Sequence, residues 1–490
     1  MKKLNLLLVL FVISNVTFAQ SYKILNMIDG VSENFETLTQ NDGKDIFGYM
    51  DLTKLDLEDK LTETRKYNLL DKNMNSICSG EFKETLLKRK CSKENVQISY
   101  NNGYVIFSFI EKFNFDSRSM LVTQSYQILE VATNKIVAKG YFNKKLNLDD
   151  NIPKLNKDFH YYIVTPVSDC GFLIKTKKEM ENGEMADYFY EINFQGEKIW
   201  EQDYLNPEAK HKYDYSLFER AQNNLVFLAT KTRNDKKVSD HLLILDAKTG
   251  KKIATTELSS NSYSLRFLDV TVQDKQITII GRFFDKQKRD LVESDESLGL
   301  YRRIVDIASG QIVSDVFLPY SKFNSLDINE NGKIKKEGYL KFQKIDINPD
   351  GNYVILAETY VDKAKGAMFN ELYAFILDKD FNPKEVKSFD TKRTRGYKYN
   401  FTQDLPSKVG KAYFFYDKND DKELQLNILN YYFKTNTFST SKINLNNDNS
   451  SLSIVPAKAG YVGIIERFIK FKKGEKSIEL RLEKLNYERQ

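Results

Sequence analysis

Asp327-Ile328-Asn329-Glu330-Asn331-Gly332 carries the most suggestive chemistry in this chain. Oxygen-bearing side chains stand at its first, third and fifth places, followed by glycine, the order a calcium-binding EF-hand loop uses. That loop also needs a bidentate Glu at its twelfth place, between helices. Here the twelfth residue is Gly338, and the flanks read as strands. The stretch is therefore read as an Asn-Gly β-turn. Asp346-Ile347-Asn348-Pro349-Asp350-Gly351 repeats the pattern, and a strand-to-strand turn accounts for it. The histidines, His160, His211 and His241, lie far apart, whereas zinc needs three or four converging ligands. Each is read as an isolated side chain near a strand start.

Nucleophile and phosphate motifs are missing. The chain has no Gly-x-Ser-x-Gly elbow and no Gly-x-x-x-x-Gly-Lys-Ser/Thr loop. Charged residues make up 29% of the sequence, so no catalytic carboxylate pair stands out. Trp200 is the sole tryptophan, which counts against a tryptophan-lined sugar cleft. Cys78 and Cys91 are near enough in sequence to pair, leaving Cys170 free; alternatively all three are reduced and buried. The sequence thus assigns no catalytic, cofactor-binding or metal-ligating residue and implies no cofactor.

The elements that would position any site are short strands. Asn-, Asp- and Gly-containing turns recur at intervals of about 50 to 75 residues, and each leads into an apolar run. The runs are Ile46-Phe47-Gly48-Tyr49-Met50, Tyr104-Val105-Ile106-Phe107, Phe172-Leu173-Ile174, Leu225-Val226-Phe227-Leu228, Ile277-Thr278-Ile279-Ile280, Tyr353-Val354-Ile355-Leu356, Ala412-Tyr413-Phe414-Phe415 and Tyr461-Val462-Gly463-Ile464-Ile465. Runs apolar on both faces belong to strands sandwiched between neighbouring sheets. With 29 Tyr and 33 Phe, composition agrees with an all-β chain.

Seven of the eight runs are followed by a second hairpin. The last is followed by Ile478-Glu479-Leu480-Arg481-Leu482, after which no fourth strand comes. A spare strand, Tyr22-Lys23-Ile24-Leu25-Asn26-Met27, precedes the first run. A ring closes if that N-terminal strand completes the last sheet, leaving only short, protected edges. The expected fold is all-β: a β-propeller of about eight four-stranded blades, its N-terminal strand closing the last blade. Seven is the alternative count, because Gly48 interrupts the first run. Residues 285–298 and 320–339 are long, polar and charged, and read as excursions from the ring.

Residues 1–19 read as a signal peptide. Lys2 and Lys3 precede a mostly apolar stretch over 4–16, and Thr17-Phe18-Ala19 sets small residues before a cut at Gln20. The stretch is short for a membrane span, and no later segment approaches one. Residues 20–490 form one propeller domain, without a Pro- or Ser-rich linker. The net charge of the full chain is +6, without the clustered basic face that nucleic acid requires.

Asn348-Pro349-Asp350-Gly351-Asn352-Tyr353-Val354 resembles the Pro-Asp-Gly turn of TolB-type propellers. Gly196-Glu197-Lys198-Ile199-Trp200 resembles a blade motif of quinoprotein propellers. Each covers one turn and occurs once. The whole chain is similar to uncharacterised secreted β-propeller-like proteins of Gram-negative bacteria. That resemblance implies a fold and an address, and no activity. The expected function is a non-enzymatic exported propeller, periplasmic or extracellular, presenting loops to a protein or cell-envelope component. It is expected to be a monomer with no nucleic acid partner. The alternative is an extracellular hydrolase or lyase with a carboxylate cluster at the channel mouth.

Overall fold

The computed structural model describes residues 21–26 and 31–485 apart from short internal stretches, the longest being 144–158, 205–211, 287–295 and 469–477. Strand β1 (Ser21–Asn26) is followed by the first blade, β2 (Val31–Thr39), β3 (Ile46–Lys54), β4 (Thr62–Asp71) and β5 (Ser76–Thr85). The second holds β6 (Cys91–Asn101), β7 (Tyr104–Phe115), β8 (Arg118–Glu130) and β9 (Lys135–Tyr141). The third holds β10 (Ile163–Val167), β11 (Gly171–Glu179), β12 (Met185–Asn193) and β13 (Lys198–Tyr204). The fourth holds β14 (Lys212–Ala221), β15 (Asn224–Arg233), β16 (Lys236–Asp246) and β17 (Lys252–Glu257). The fifth holds β18 (Tyr263–Gln273), β19 (Gln276–Asp285), β20 (Gly299–Asp306) and β21 (Ile312–Pro319). The sixth holds the short β22 (Lys333–Ile334), then β23 (Gly338–Ile347), β24 (Tyr353–Val361), β25 (Met368–Leu377) and β26 (Pro383–Phe389). The seventh holds β27 (Tyr399–Asp404), β28 (Gly410–Asp420), β29 (Glu423–Tyr432) and β30 (Thr437–Asn446). The eighth holds β31 (Ser450–Pro456), β32 (Tyr461–Phe468) and β33 (Ile478–Lys484). Its fourth strand is β1, antiparallel to β33 with Ser21 opposite Glu483 and Asn26 opposite Glu479.

Packing shows that the ring is closed. An open row of eight blades has seven internal interfaces, and a ring has eight. Eight apolar clusters lie between successive blades. The closing one joins Phe35, Tyr49 and Leu70 of the first blade to Ile465, Leu480 and Leu482 of the eighth. Each second strand serves two clusters, as the two-residue period of a strand requires. In β24, Ile355 and Ala357 face the fifth blade's side, while Val354 and Leu356 pack with the seventh blade. All four are buried. This is why the second strands read as continuously apolar.

The turns account for the repeat in the sequence. Turns joining third to fourth strands open on Asp71, Asn193, Asp246, Asp306 and Asp378. In each, the side-chain oxygen accepts backbone N–H groups two to four residues on, as at Asp378 from Asp380 and Asn382, 2.9 and 2.8 Å. These oxygens do the work of a backbone turn. One extra residue then opens the fourth strand in six consecutive blades: Ile77, Val137, Ile199, Ile253, Val313 and Lys384. These bulges bend the outermost strand and guard its unpaired edge.

Gly48 does not demote the first blade. A Cβ there would lie 1.9 Å from the Leu70 carbonyl oxygen, so glycine is what lets β3 and β4 approach. The count is eight. A second expectation is corrected. Residues 320–339 are not an excursion from the ring, because Tyr320, Phe323 and Ile334 are buried in the cluster between the fifth and sixth blades. Lys333–Ile334 adds a fifth strand to the sixth sheet. Their polar neighbours hide these three anchors in the sequence. The signal peptide, Cys170, His211 and most of 285–298 lie outside the described residues.

Candidate binding site at the channel mouth

First strands lie innermost, since they touch first strands of neighbouring blades: β2 with β6, β6 with β10, β14 with β18, β18 with β23 and β27 with β31. A cavity of about 360 Å³ opens on the face bearing the turns between first and second strands. Its walls come from the first blade (Thr39, Ile46, Lys72), the sixth (Lys344, Asp346), the seventh (Thr402, Lys411) and the eighth (Pro456, Lys458). A cavity shared by four successive blades of an eight-blade ring sits at the axis.

Lys411 Nζ lies 2.5 Å from Asp404 and Lys408 Nζ lies 3.8 Å from Asp45. Exposed Lys72 has no ion pair among the described residues. Lys458 Nζ donates to Asn73 Oδ1 at 2.7 Å and sits 4.3 Å from the centre of the Tyr461 ring. Lys344 Nζ lies 3.8 Å from Asp346, whose side chain is 14% exposed. Asp346 Oδ2 is buried beside the fully buried Tyr413 hydroxyl, which burial first and then Asp346 raise well above its ordinary value. Burial raises the neighbouring Asp269 carboxyl; Lys344 opposes the shift and Asp346 adds to it. Burial and the same two aspartates raise the Tyr399 hydroxyl.

A second charged group lies toward the opposite ends of the strands, between the first and second blades. Fully buried Arg65 forks onto Glu33, Nε to Oε2 at 2.8 Å and Nη2 to Oε1 at 3.2 Å. Its Nη1 donates to Glu63 at 3.1 Å and its Nη2 to the Lys93 carbonyl at 2.7 Å. Burial alone would lower the guanidinium, but Glu33, Glu63 and Glu84 outweigh it and hold it above its ordinary value. Lys93, also buried, bonds Glu84 at 2.5 Å. Lys54, partly exposed, adds a third cation at 2.6 Å from Glu63, so each of the three glutamates pairs with a cation inside the protein and the group fastens two blades.

The third lies between the sixth and seventh blades. Buried Glu358 accepts the backbone N–H of Lys398 and of Tyr399, the latter at 2.9 Å. Lys398 Nζ donates to the Asn370 carbonyl and Thr391 Oγ1. Burial raises the Glu358 carboxyl above 4.5, against the pull of those N–H groups. Between 4.5 and the raised value, the folded chain holds a proton that the unfolded chain has lost. The stability this contributes is complete below 4.5 and is lost as pH climbs through the raised value. Urea unfolding of Glu358→Gln beside the native chain is expected to show the stability difference moving toward the native chain as neutral solution is acidified to about that value. A difference that ignores pH contradicts burial as the cause.

The residues singled out in the sequence lie elsewhere. Asn329 Oδ1 accepts the N–H groups of Asn331 and Lys333, and Gly332 has φ 78°, so Asp327–Gly332 is a turn. His241 Nε2 lies 3.0 Å from Ser239 Oγ, and half-buried His160 precedes β10. Among the described residues no group of three or more His, Cys, Asp or Glu is placed to hold a metal. Cys78 and Cys91 are both free and buried, which settles their pairing; burial first, then Glu111, raises the Cys91 thiol to about 11. Trp200 is buried, its Nε1 donating to Glu191 at 2.7 Å. No described helix is long and apolar enough to cross a membrane.

Four-stranded sheets set radially in a closed ring, with an axial cavity, define an eight-bladed β-propeller. The chain belongs to a family of unknown function, DUF6770, whose model matches residues 1–375 and 373–486. No curated protein matches it. It is similar in shape to the WD40 domain of SCAP from fission yeast, at 9% identity and TM-score 0.40, over 94% of this chain and 98% of that one. It is similar to the quinohemoprotein alcohol dehydrogenase of Comamonas testosteroni, at 10% identity and TM-score 0.41, over 94% and 78%. It is also similar to the polysaccharide lyase Uly1, at 7% identity and TM-score 0.43, over 80% and 90%.

Proposed function

We propose that this protein is a non-enzymatic propeller, exported across a membrane, that uses the axial mouth to hold a protein or cell-envelope component. One observation carries the reading. The three aspartates lining the cavity, Asp45, Asp346 and Asp404, each lie within ion-pair distance of a lysine. The alternative, a hydrolase or lyase, calls for two carboxyl groups facing one another across a cleft in environments that divide acid from base roles. Asp269 is the one raised carboxyl nearby, and it is not among the side chains lining the cavity. A mouth of matched and excess charges suits recognition. The secretory layout of residues 1–19 supports export, and the turns of a rigid ring suit presentation.

Immobilised chain beginning at Gln20 is expected to retain a component of the cell-envelope fraction unchanged in mass. Lys72→Glu with Lys458→Glu is expected to weaken retention roughly tenfold or more, as loss of charge-assisted bonds does. Chemical conversion of the retained material, or retention indifferent to both substitutions, overturns the reading.

A further inference from the structure

Seven of the eight outermost strands shift register against the strand inside them: β1, β5, β9, β13, β17, β21 and β26. β30 does not. All ten of its residues, Thr437 to Asn446, pair in unbroken register with β29, and no described strand lies on its other side. A long flat edge is a template for another strand, and a bulge is one of the devices that blunt it. Charge guards this edge little. Lys442 is the sole charged residue of β30, whereas β5, also ten residues long, carries Glu81, Lys83 and Glu84.

The side chains of β30 alternate between two neighbours. Ile443 and Leu445 pack toward the eighth blade. Phe438 points toward the sixth, its ring 5.5 Å from that of Phe389. Thr440 and Lys442 share the face of Phe438, are both exposed, and line a cavity of about 300 Å³ between the sixth and seventh blades. Leu372, Phe389, Phe415 and Leu429 supply its apolar wall. A strand laid along the open edge of β30 would turn every second side chain to that same face. Lys442 has no acid partner among the described residues and stands opposite neutral Asn427 of β29.

We propose that β30 receives an extended segment of a partner protein as an antiparallel fifth strand of the seventh blade. An apolar side chain of the segment enters the cavity beside Thr440, and an acidic one two residues away meets Lys442. Main-chain hydrogen bonds supply the affinity of such strand addition, and the side chains its selectivity. Lys442 also decides the occupant. Two copies of this chain paired edge to edge about the middle of β30 would bring their Lys442 ammonium groups together, and like charges across a ladder oppose pairing. The edge lies on the outer wall, so the inference stands apart from the axial mouth.

Calorimetric titration of the chain beginning at Gln20 with three capped probes tests this. The first is acetyl-Thr-Thr-Glu-Thr-Leu-Thr-Thr-amide. In the second, Thr-Thr-Thr-Glu-Leu-Thr-Thr, the acid and the leucine are adjacent and face opposite ways. In the third, Thr-Thr-Glu-Thr-Ser-Thr-Thr, the leucine is gone. The first is expected to bind, the second roughly two- to fivefold more weakly for want of the cross-strand ion pair, and the third roughly tenfold more weakly for want of a buried leucine. Lys442→Glu, at an exposed position that leaves the ring folded, is expected to erase the preference for the first over the second. Residue-resolved amide exchange with the first probe bound should slow the β30 amides that point away from β29 and leave β5 and β26 unchanged. No binding of the first probe, equal binding of all three, a preference that survives Lys442→Glu, protection at another edge in place of β30, or a native chain already paired with itself through β30 overturns the inference. Any of these leaves the axial binding role standing.

Discussion

Deleting Ser21–Asn26 is expected to open the ring and cost on the order of 2–5 kcal/mol. That follows from a handful of ladder hydrogen bonds at about 0.5–1.5 kcal/mol each, with further loss as the closing interface loosens. Among the described residues, β1 is the only strand on the outer side of β33. Without it, β33 presents a row of unpaired N–H and C=O groups, a template for pairing with another chain. Beside it lies the cluster in which Leu480 and Leu482 meet Phe35 and Tyr49. Denaturant unfolding should show a lower midpoint, and light scattering should show association at concentrations where the native chain stays dispersed. Unchanged stability and solubility would mean that β1 does not hold the ring.

The second large effect is expected at Arg65. Arg65→Met fills similar space but takes the guanidinium from Glu33 in the interface between the first two blades, while Glu63 keeps Lys54 at 2.6 Å. Removing one partner of a buried charge pair typically costs about 3–5 kcal/mol, because the remaining charge is stranded. Glu33 also accepts the Asn95 N–H at 2.8 Å, so its disturbance reaches β6. Adding Glu33→Gln to Arg65→Met should recover much of the loss, since a neutral amide needs no counter-ion. Denaturant midpoints of the two single variants and the double variant complete the cycle. If Arg65→Met alone is near neutral, the fork onto Glu33 does not fasten the blades.

The fold was far more legible than the site, for a physical reason. A blade is made from contiguous sequence. Its turns need Asp, Asn or Gly at set places, and its second strand is apolar on both faces, so each cassette writes itself in one dimension. The spare strand at residues 22–27 and the three-stranded last cassette also disclosed closure, because a missing strand can be counted. The axial cavity cannot be read that way. Lys72, Asp346, Lys411 and Lys458 are ordinary charged residues of four separate cassettes, and only the ring brings them together. The Arg65 fork spans 32 residues of sequence, with no spacing rule to announce it. Residues 320–339 misled for a different reason: Tyr320, Phe323 and Ile334 are too widely spaced among polar neighbours to show strand or helix periodicity. Trp200 stood out for its rarity, yet it belongs to the core between the third and fourth blades.

Closure underlies the whole account, since the cavity is axial only in a complete ring. Residue-resolved amide hydrogen exchange on β33 tests it most directly. Alternate N–H groups of this antiparallel strand point away from β32 and can be bonded only by β1. In a closed ring, both sets of amides across residues 479–483 should exchange slowly, as those of β24 do. If the set facing away from β32 exchanges at the rate of an unpaired edge while β24 stays protected, the eighth blade has three strands and the closed ring is wrong.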